Sequence, residues 1–336
     1  MASEPQLIAV VGPTACGKSD LAIYLAQLVG GEIVSVDSAQ LYKGLDIGTA
    51  KPSRQSLRQI PHHLIDVLEP WEQSSAGWFR QEACTCIEEI AAKGKPVILV
   101  GGSSLYYFAV TTELPLFPPG RALRAKLEER IACEGIQGLI DELSCKAPEV
   151  LARIDKKNPR RVVRALEVVE IRRLCGESED GWYRGIEHYC QRGINLVGIG
   201  LSMPKEAHRL SIRKRAERML EEGLVEEVRQ VFFEATRPPA PSVASAVGYK
   251  QVYECLNAGA GRDRMVEAVT AATWKLARRQ RAWFRRDPRL CWFSSEHPAK
   301  HFEAIGMFVL RRLEKGSISS PPYDLISTPI VDRASA

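Results

Sequence analysis

Gly12-Pro13-Thr14-Ala15-Cys16-Gly17-Lys18-Ser19 fills every fixed position of the phosphate-binding pattern G-x-x-x-x-G-K-[ST]. The apolar run Leu7–Val11 before it reads as a buried strand, and Leu21, Ala22, Leu25, Ala26 and Leu28 after it recur at helical spacing. Strand, loop and helix in succession predict a diphosphate cradle. Backbone N–H groups and the helix N-terminus surround the anion, Lys18 adds a point charge, and the Ser19 hydroxyl is placed to hold Mg2+. The loop alone fixes no chemistry, because nucleotide kinases, ATPases and GTPases all use it.

A chain of 336 residues, 45% of them hydrophobic, can bury the core of one large domain or two. Its formal charge of +5 is modest. However, Lys275, Arg278, Arg279, Arg281, Arg285, Arg286 and Arg289 crowd one segment with only Asp287 opposing them, so local charge says more than the net value. The nine cysteines are scattered, with neither a C-x-x-C pair nor zinc-ligand spacing, which reads as reduced thiols in a cytoplasmic protein. Cys16 occupies a position that a small apolar side chain satisfies. With no charged start leading into an apolar region and no run of about 18 apolar residues, the chain is expected to be soluble, unexported and without a membrane partner.

Strand and helix patterns alternate up to about residue 112, as in an α/β doubly wound parallel sheet. The second strand is Glu32–Val36, and the third runs from Lys95 into the pair Gly101-Gly102 with no acidic residue closing it, a poor Walker B strand. Pro115, Pro118, Pro119 and Gly120 form a linker, after which Leu123, Leu127, Ile131, Val163, Leu166 and Val169 recur at helical spacing. Residues 113–193 are therefore expected to be a mainly helical insertion. The core resumes with a strand at Asn195–Leu201 and amphipathic helices over Lys205–Phe233, interrupted at Gly223; Pro238, Pro239 and Pro241 mark a loop. On this reading residues 1–112 and 194–315 make the core, and the Ser- and Pro-rich stretch 316–336 is a disordered tail.

Two further segments narrow the chemistry. Asp37-Ser38-Ala39-Gln40-Leu41-Tyr42-Lys43-Gly44-Leu45-Asp46-Ile47-Gly48-Thr49-Ala50-Lys51-Pro52 follows the second strand, and Gly101-Gly102-Ser103-Ser104-Leu105-Tyr106 closes the third. With the phosphate loop they resemble the tRNA dimethylallyltransferase (tRNA isopentenyltransferase) family, whose loop is followed by D-S-x-Q-x-Y-K-G-x-D-I-G-T-A-K-P and G-G-T-x-L-Y segments. His62–Asp66, Asn158–Glu167, Met219–Val228, Val247–Gln251 and Ala277–Arg285 resemble family segments in the same order. There are departures: Ser103 replaces the usual Thr but keeps the hydroxyl, Ser104 replaces a common Gly, Trp274 stands where Arg is frequent, and residues 175–192 match nothing. Many eukaryotic relatives carry a C-terminal zinc finger. No such Cys/His set follows residue 292, which suggests a bacterial or organellar type.

The resemblance implies transfer of a dimethylallyl group from its diphosphate to N6 of the adenosine at position 37, immediately 3′ of the tRNA anticodon. It implies donor binding by Gly12, Pro13, Thr14, Ala15, Cys16, Gly17, Lys18 and Ser19 together with Lys250, Mg2+ on Ser19, and catalysis by Asp37 and Ser103. The anticodon stem-loop would meet Asp37, Ser38, Ala39, Gln40 and Ser103; Arg160, Arg161, Val162, Val163 and Arg164 of the insertion; and Arg278, Arg279, Gln280 and Arg285 of the late basic helix. A cytoplasmic monomer is expected.

The residue types suit that chemistry. An exocyclic amine is a weak nucleophile, so its proton should leave as the new bond forms, and a carboxylate at the end of the second strand is the natural base. A capping Asp is the alternative reading of Asp37. The Ser103 hydroxyl suits the diphosphate or the base, against a plain tight turn. Gln40 offers an amide to an adenine edge, and a stacked adenine has to be splayed out to reach it. The arginines read equally as phosphate clamps or as solvated helix faces. Trp283 and Phe284 are expected in the core, His62 and His63 as a hydrogen-bonded structural pair, and Asp46 and Asp66 as structural. An adenylate isopentenyltransferase acting on AMP, ADP or ATP would need neither basic segment. A small-molecule kinase fits the D-S-x-Q and G-G-S segments poorly, and a GTPase-type switch would need an N-K-x-D motif.

Overall fold

The computed structural model describes residues 5–112, 114, 116, 120–175, 195–296 and 298–314. The expected tail, most of the proline linker and most of the stretch 175–192 lie outside them. The chain forms two compact units, Met1–Glu113 with Glu187–Ala336, and Leu114–Ile186.

The first unit is built on six parallel strands: β1 (Gln6–Val11), β2 (Glu32–Ser35), β3 (His62–His63), β4 (Val97–Gly101), β5 (Asn195–Ser202) and β6 (Leu290–Ser294). They lie in the order β3-β2-β4-β1-β5-β6. Parallel strands covered on both faces read as continuous apolar runs, and β1 does so: Leu7, Ala9 and Val11 face one core, Ile8 and Val10 the other. Helix α1 (Lys18–Val29) covers the second face with Leu21 and Leu25, each of which contributes about 1.5–3 kcal/mol through burial.

Helices α2 (Arg54–Gln59), α3 (Ala76–Ala92) and α4 (Ser104–Thr111) follow. The second unit contributes α5 (Arg121–Glu134), α6 (Gln137–Lys146), α7 (Pro148–Arg153) and α8 (Pro159–Cys175) around Leu127, Leu139, Leu143 and Leu166. Within it the fully buried Glu167 accepts from Gly120 N (2.6 Å) and pairs with Arg124 and Arg164, each at 2.9 Å. The first unit resumes with α9 (Lys205–Glu221), α10 (Leu224–Arg229), a π-helical turn at Gln230–Glu234, α11 (Pro241–Ala244), α12 (Tyr249–Asn257), the 23-residue α13 (Arg262–Phe284) and α14 (Pro298–Glu314).

Two local expectations change. Pro241 opens a short helix instead of continuing a loop, because its fixed φ suits the first helical position. Phe284 is buried as expected, but Trp283, one residue back around the helix, is 47% exposed under the guanidinium of Arg286. Among the described residues no helix is long and apolar enough to cross a membrane.

Candidate active site

β2, β4 and β1 are neighbours, so the three segments that leave their C-terminal ends meet along one edge of the sheet, where open α/β sheets bind ligands. From β1 comes the phosphate loop. Gly12 adopts φ +146°, and a Cβ there would stand 2.5 Å from the Leu201 carbonyl oxygen, so only glycine fits. Ala15 is left-handed at φ +63°, a conformation that costs a non-glycine residue about 1 kcal/mol or more. It is held from outside the loop. Thr14 N donates to Gln280 Oε1 (2.9 Å), His208 Nε2 bonds the Thr14 carbonyl (2.8 Å), and Ser211 Oγ donates to the Ala15 carbonyl (3.0 Å).

Lys18 Nζ donates to the Pro13 carbonyl at 2.8 Å, and burial brings its pKa down to about 8. Cys16 is 1% exposed, with Sγ 3.6 Å from His208 Nε2, and burial pushes its thiol up, so it stays protonated and serves as a small packing group. The Ser19 hydroxyl lines the same cavity as Lys18. Among the described residues no cluster of three His, Cys, Asp or Glu could by itself hold a metal. That donor set still suits Mg2+, which keeps several waters and takes its other ligands from substrate phosphates.

From β2 comes Asp37. Its Oδ1 accepts from Ala39 N at 2.9 Å, so it does stabilise its own turn, and it also lines both site cavities. From β4 comes Ser103, whose N–H donates to the Val36 carbonyl at 3.1 Å and whose side chain makes no capping bond to α4. A Cβ on Gly101 would fall 2.0 Å from that same Val36 oxygen, which explains the glycine ahead of it.

Two cavities adjoin here. One, of about 520 Å³, is lined by Asp37, Ser38, Ser103, Met219, Arg279 and Trp283. The other, of about 810 Å³, is lined by Lys18, Ser19, Lys51, Lys214, Arg218 and Glu296. Thr14, Asp37, Thr49, Gly102, Arg215 and Gln280 line both, so the cavities meet at Asp37. Arg215 on α9, which sequence reasoning did not single out, lines both cavities. Burial lowers its pKa while the nearby Asp37 charge opposes that shift. The available signal was Ser211, Arg215 and Arg218, which fall on one helical face.

The other expected residues divide among buried, paired and exposed positions. The Gln40 amide is engaged within the protein, accepting from Ser35 Oγ (2.9 Å) and donating to the Thr49 and Ala50 carbonyls (3.3 and 3.4 Å), so it braces the Gly48–Lys51 loop. Lys250 points away toward Glu254, 3.6 Å distant, and lines neither cavity. Val162 and Val163 are buried in the second unit's core because α8 turns them inward, leaving no side-chain surface for RNA. Arg164 pairs with buried Glu167, whereas Arg160 and Arg161 are exposed. On α13, Arg278, Arg279 and Arg285 are exposed, but Gln280 is buried and bonded to both active-site loops. Asp46 and Asp66 converge on Lys51 at 2.7 and 2.5 Å, a structural cluster as expected. His62 and His63 are also hydrogen-bonded, to the Ile60 carbonyl and to buried Glu32.

The family model described as IPP transferase matches residues 40–287. The chain belongs to this family. The tRNA dimethylallyltransferase of Corynebacterium efficiens is 39% identical over 289 residues, covering 86% of this chain and 94% of that protein. That of Thermomicrobium roseum is 36% identical over 318 residues, covering 93% and 92%. Among solved structures, the full-length tRNA isopentenylpyrophosphate transferase of Bacillus halodurans superposes with a TM-score of 0.66 at 34% identity, covering 93% of this chain and 98% of that one. A eukaryotic dimethylallyltransferase, described as acting on tRNA, shares the fold at 21% identity, with a TM-score of 0.73 over 96% of this chain and 82% of that one.

Proposed function

We propose that the chain transfers a dimethylallyl group from dimethylallyl diphosphate to N6 of the adenosine immediately 3′ of the tRNA anticodon, releasing diphosphate. The observation that carries this reading is the meeting of two cavities at Asp37 and Arg215. Displacement at the allylic carbon requires the amine to approach from the side opposite the leaving oxygen, and two cavities sharing one wall allow such an approach. The larger cavity takes the donor. Its loop N–H groups, Lys18 and Arg215 face the diphosphate, where negative charge grows as the C–O bond breaks. Ser19 would hold Mg2+, which would supply further charge neutralisation there.

The smaller cavity takes the adenine. Asp37 accepts the N6 proton as the C–N bond forms, and the Ser103 hydroxyl orients the amine or the departing diphosphate. Extruding the base costs a few kcal/mol, offset by contacts to the anticodon loop. Exposed Arg278, Arg279 and Arg285 on α13, and Arg160 and Arg161 on α8, suit phosphate contacts, and Trp283 offers a stacking face. The protein works as a cytoplasmic monomer on this reading. The test is to incubate pure protein with labelled dimethylallyl diphosphate and, separately, bulk tRNA, AMP or ATP. Label should enter tRNA alone; label in AMP or ATP but not in tRNA overturns the proposal.

A further inference from the structure

Gln280 lies on the inward face of α13 with Ala277 and Phe284, one helical turn before and after it, both buried. Arg278 and Arg279 on the same helix are exposed. Gln280 is only 8% exposed, and both ends of its amide are bonded to loops that are remote in sequence. Oε1 accepts from Thr14 N in the phosphate loop at 2.9 Å, and Nε2 donates to the Gly102 carbonyl at 2.9 Å, one residue before Ser103. The two bonds also fix the amide's orientation, since the reverse would set N–H against N–H and oxygen against oxygen. A Cβ on Gly102 would stand 2.5 Å from Nε2, so the second glycine of the pair leaves room for this bridge.

We infer that Gln280 is a positioning residue that fixes the diphosphate loop and the Ser103 tip relative to each other, and is not an RNA contact. The inference rests on the prenyl-transfer reading for its meaning, but not for its test. Thr14 and Ala15 are where the loop needs holding, because Ala15 is left-handed and its neighbouring peptide groups are clamped from outside the loop by Gln280, His208 and Ser211. Without the Thr14 N–H···Oε1 bond, that peptide keeps the Lys18 Nζ bond to its Pro13 carbonyl from within the loop but loses its tie to α13, and the cradle after it loses its set geometry. Without the Nε2–H···O bond, the Gly102 carbonyl is buried without its partner, and the Ser103 tip keeps its tie to Val36 but loses its tie to α13. The first consequence falls on donor binding and the second on the placing of Ser103, whereas loss of an RNA contact would fall on tRNA affinity and leave diphosphate binding intact.

The full-length protein is titrated with inorganic diphosphate and Mg2+ by calorimetry, comparing wild type, Gln280→Leu and Gln280→Glu, with melting temperature and tRNA affinity measured alongside. Gln280→Leu should weaken diphosphate binding by about 10- to 100-fold, the range for groups that orient a binding shell from behind, while tRNA affinity stays within about twofold. Gln280→Glu adds a readout that a merely structural role would not move. Its protonated carboxyl can accept from Thr14 and donate to Gly102, but its carboxylate cannot donate, so its diphosphate affinity relative to wild type should recover as pH falls.

A folded Gln280→Leu variant that binds diphosphate like wild type overturns the inference. So does one that loses tRNA affinity alone. If Gln280→Leu does not fold, the Gln280→Glu series decides, and a ratio to wild type that is flat with pH overturns it. A wild-type protein that binds diphosphate yet labels no acceptor removes the prenyl-transfer reading and leaves the positioning role standing.

Discussion

Replacing Asp37 by Asn keeps an Oδ1 acceptor for the Ala39 N–H and so keeps the turn, but removes the group that takes the proton. The variant should fold normally, bind tRNA as before and lose roughly 10²- to 10⁴-fold in kcat. Single-turnover transfer within threefold of wild type would remove Asp37 from the base role. Lys18 gives a second expectation at this scale. Burial holds its pKa at about 8, so at pH 8.5 much of it is neutral in the free protein, whereas a bound diphosphate favours the ammonium. Diphosphate binding should therefore take up as much as about one more proton in wild type than in Lys18→Arg at pH 8.5, and the two should converge near pH 7. Calorimetry in buffers of different ionisation enthalpy reads that difference, and equal uptake at both pH values would show Lys18 already charged. These two residues were legible in the sequence because each has a locally dictated place, a glycine-framed loop and the end of a strand. Arg215, Gln280 and Gln40 were not, because their roles depend on partners that only folding supplies. Thr14 and Gln280 stand 266 positions apart.

The elements that carry the site were easier to read than the bonds between them. β1, α1, β2 and β4 follow from hydrophobic period and bounding glycines, whereas nothing in the period of α9 says that it clamps the phosphate loop. That clamp has a pH signature. His208 is fully buried, and its pKa is lowered first by burial, with Arg281 and Lys18 pushing the same way and its bond to the Thr14 carbonyl opposing. Its neighbours are Cys16, Lys18, Arg281 and the edge of the Trp274 ring. A histidine kept neutral in the folded state contributes stability that is present above its ordinary value of about 6.5 and lost as pH falls below it. His62 is lowered by burial too and adds a slope of the same sign. Glu32, held at about 2 by Lys95, His63 and Lys93 against its own burial, enters only in strong acid. The urea midpoint should fall between pH 7.5 and pH 5.5 in wild type and fall less in His208→Gln, with His62 supplying the remainder. Identical slopes would mean that His208 charges freely in the folded protein.

For the whole molecule the open question is how a modest net charge of +5 serves a polyanionic substrate. The described structure separates cations that the sequence lumps together. Arg164 is committed to buried Glu167 and Arg289 to Asp287, whereas Arg161, Arg278 and Arg285 stand exposed. Sequence density of charge could not make that division, since it depends on which acids the fold brings alongside. If the exposed three hold phosphates, each change to Ala should weaken tRNA binding about uniformly across tRNA species and reduce the log–log salt slope by about one, leaving diphosphate affinity unchanged. Arg164→Ala should behave otherwise. It takes a partner from a carboxylate with no solvent access, so its cost should appear as lost stability of the second unit, with the tRNA salt slope held near the wild-type value. Melting curves and salt-dependent tRNA titrations of the four variants distinguish the two groups. If Arg161, Arg278 and Arg285 all keep the wild-type affinity and slope, they are solvated helix faces, and the case for a tRNA acceptor passes to the labelling experiment alone.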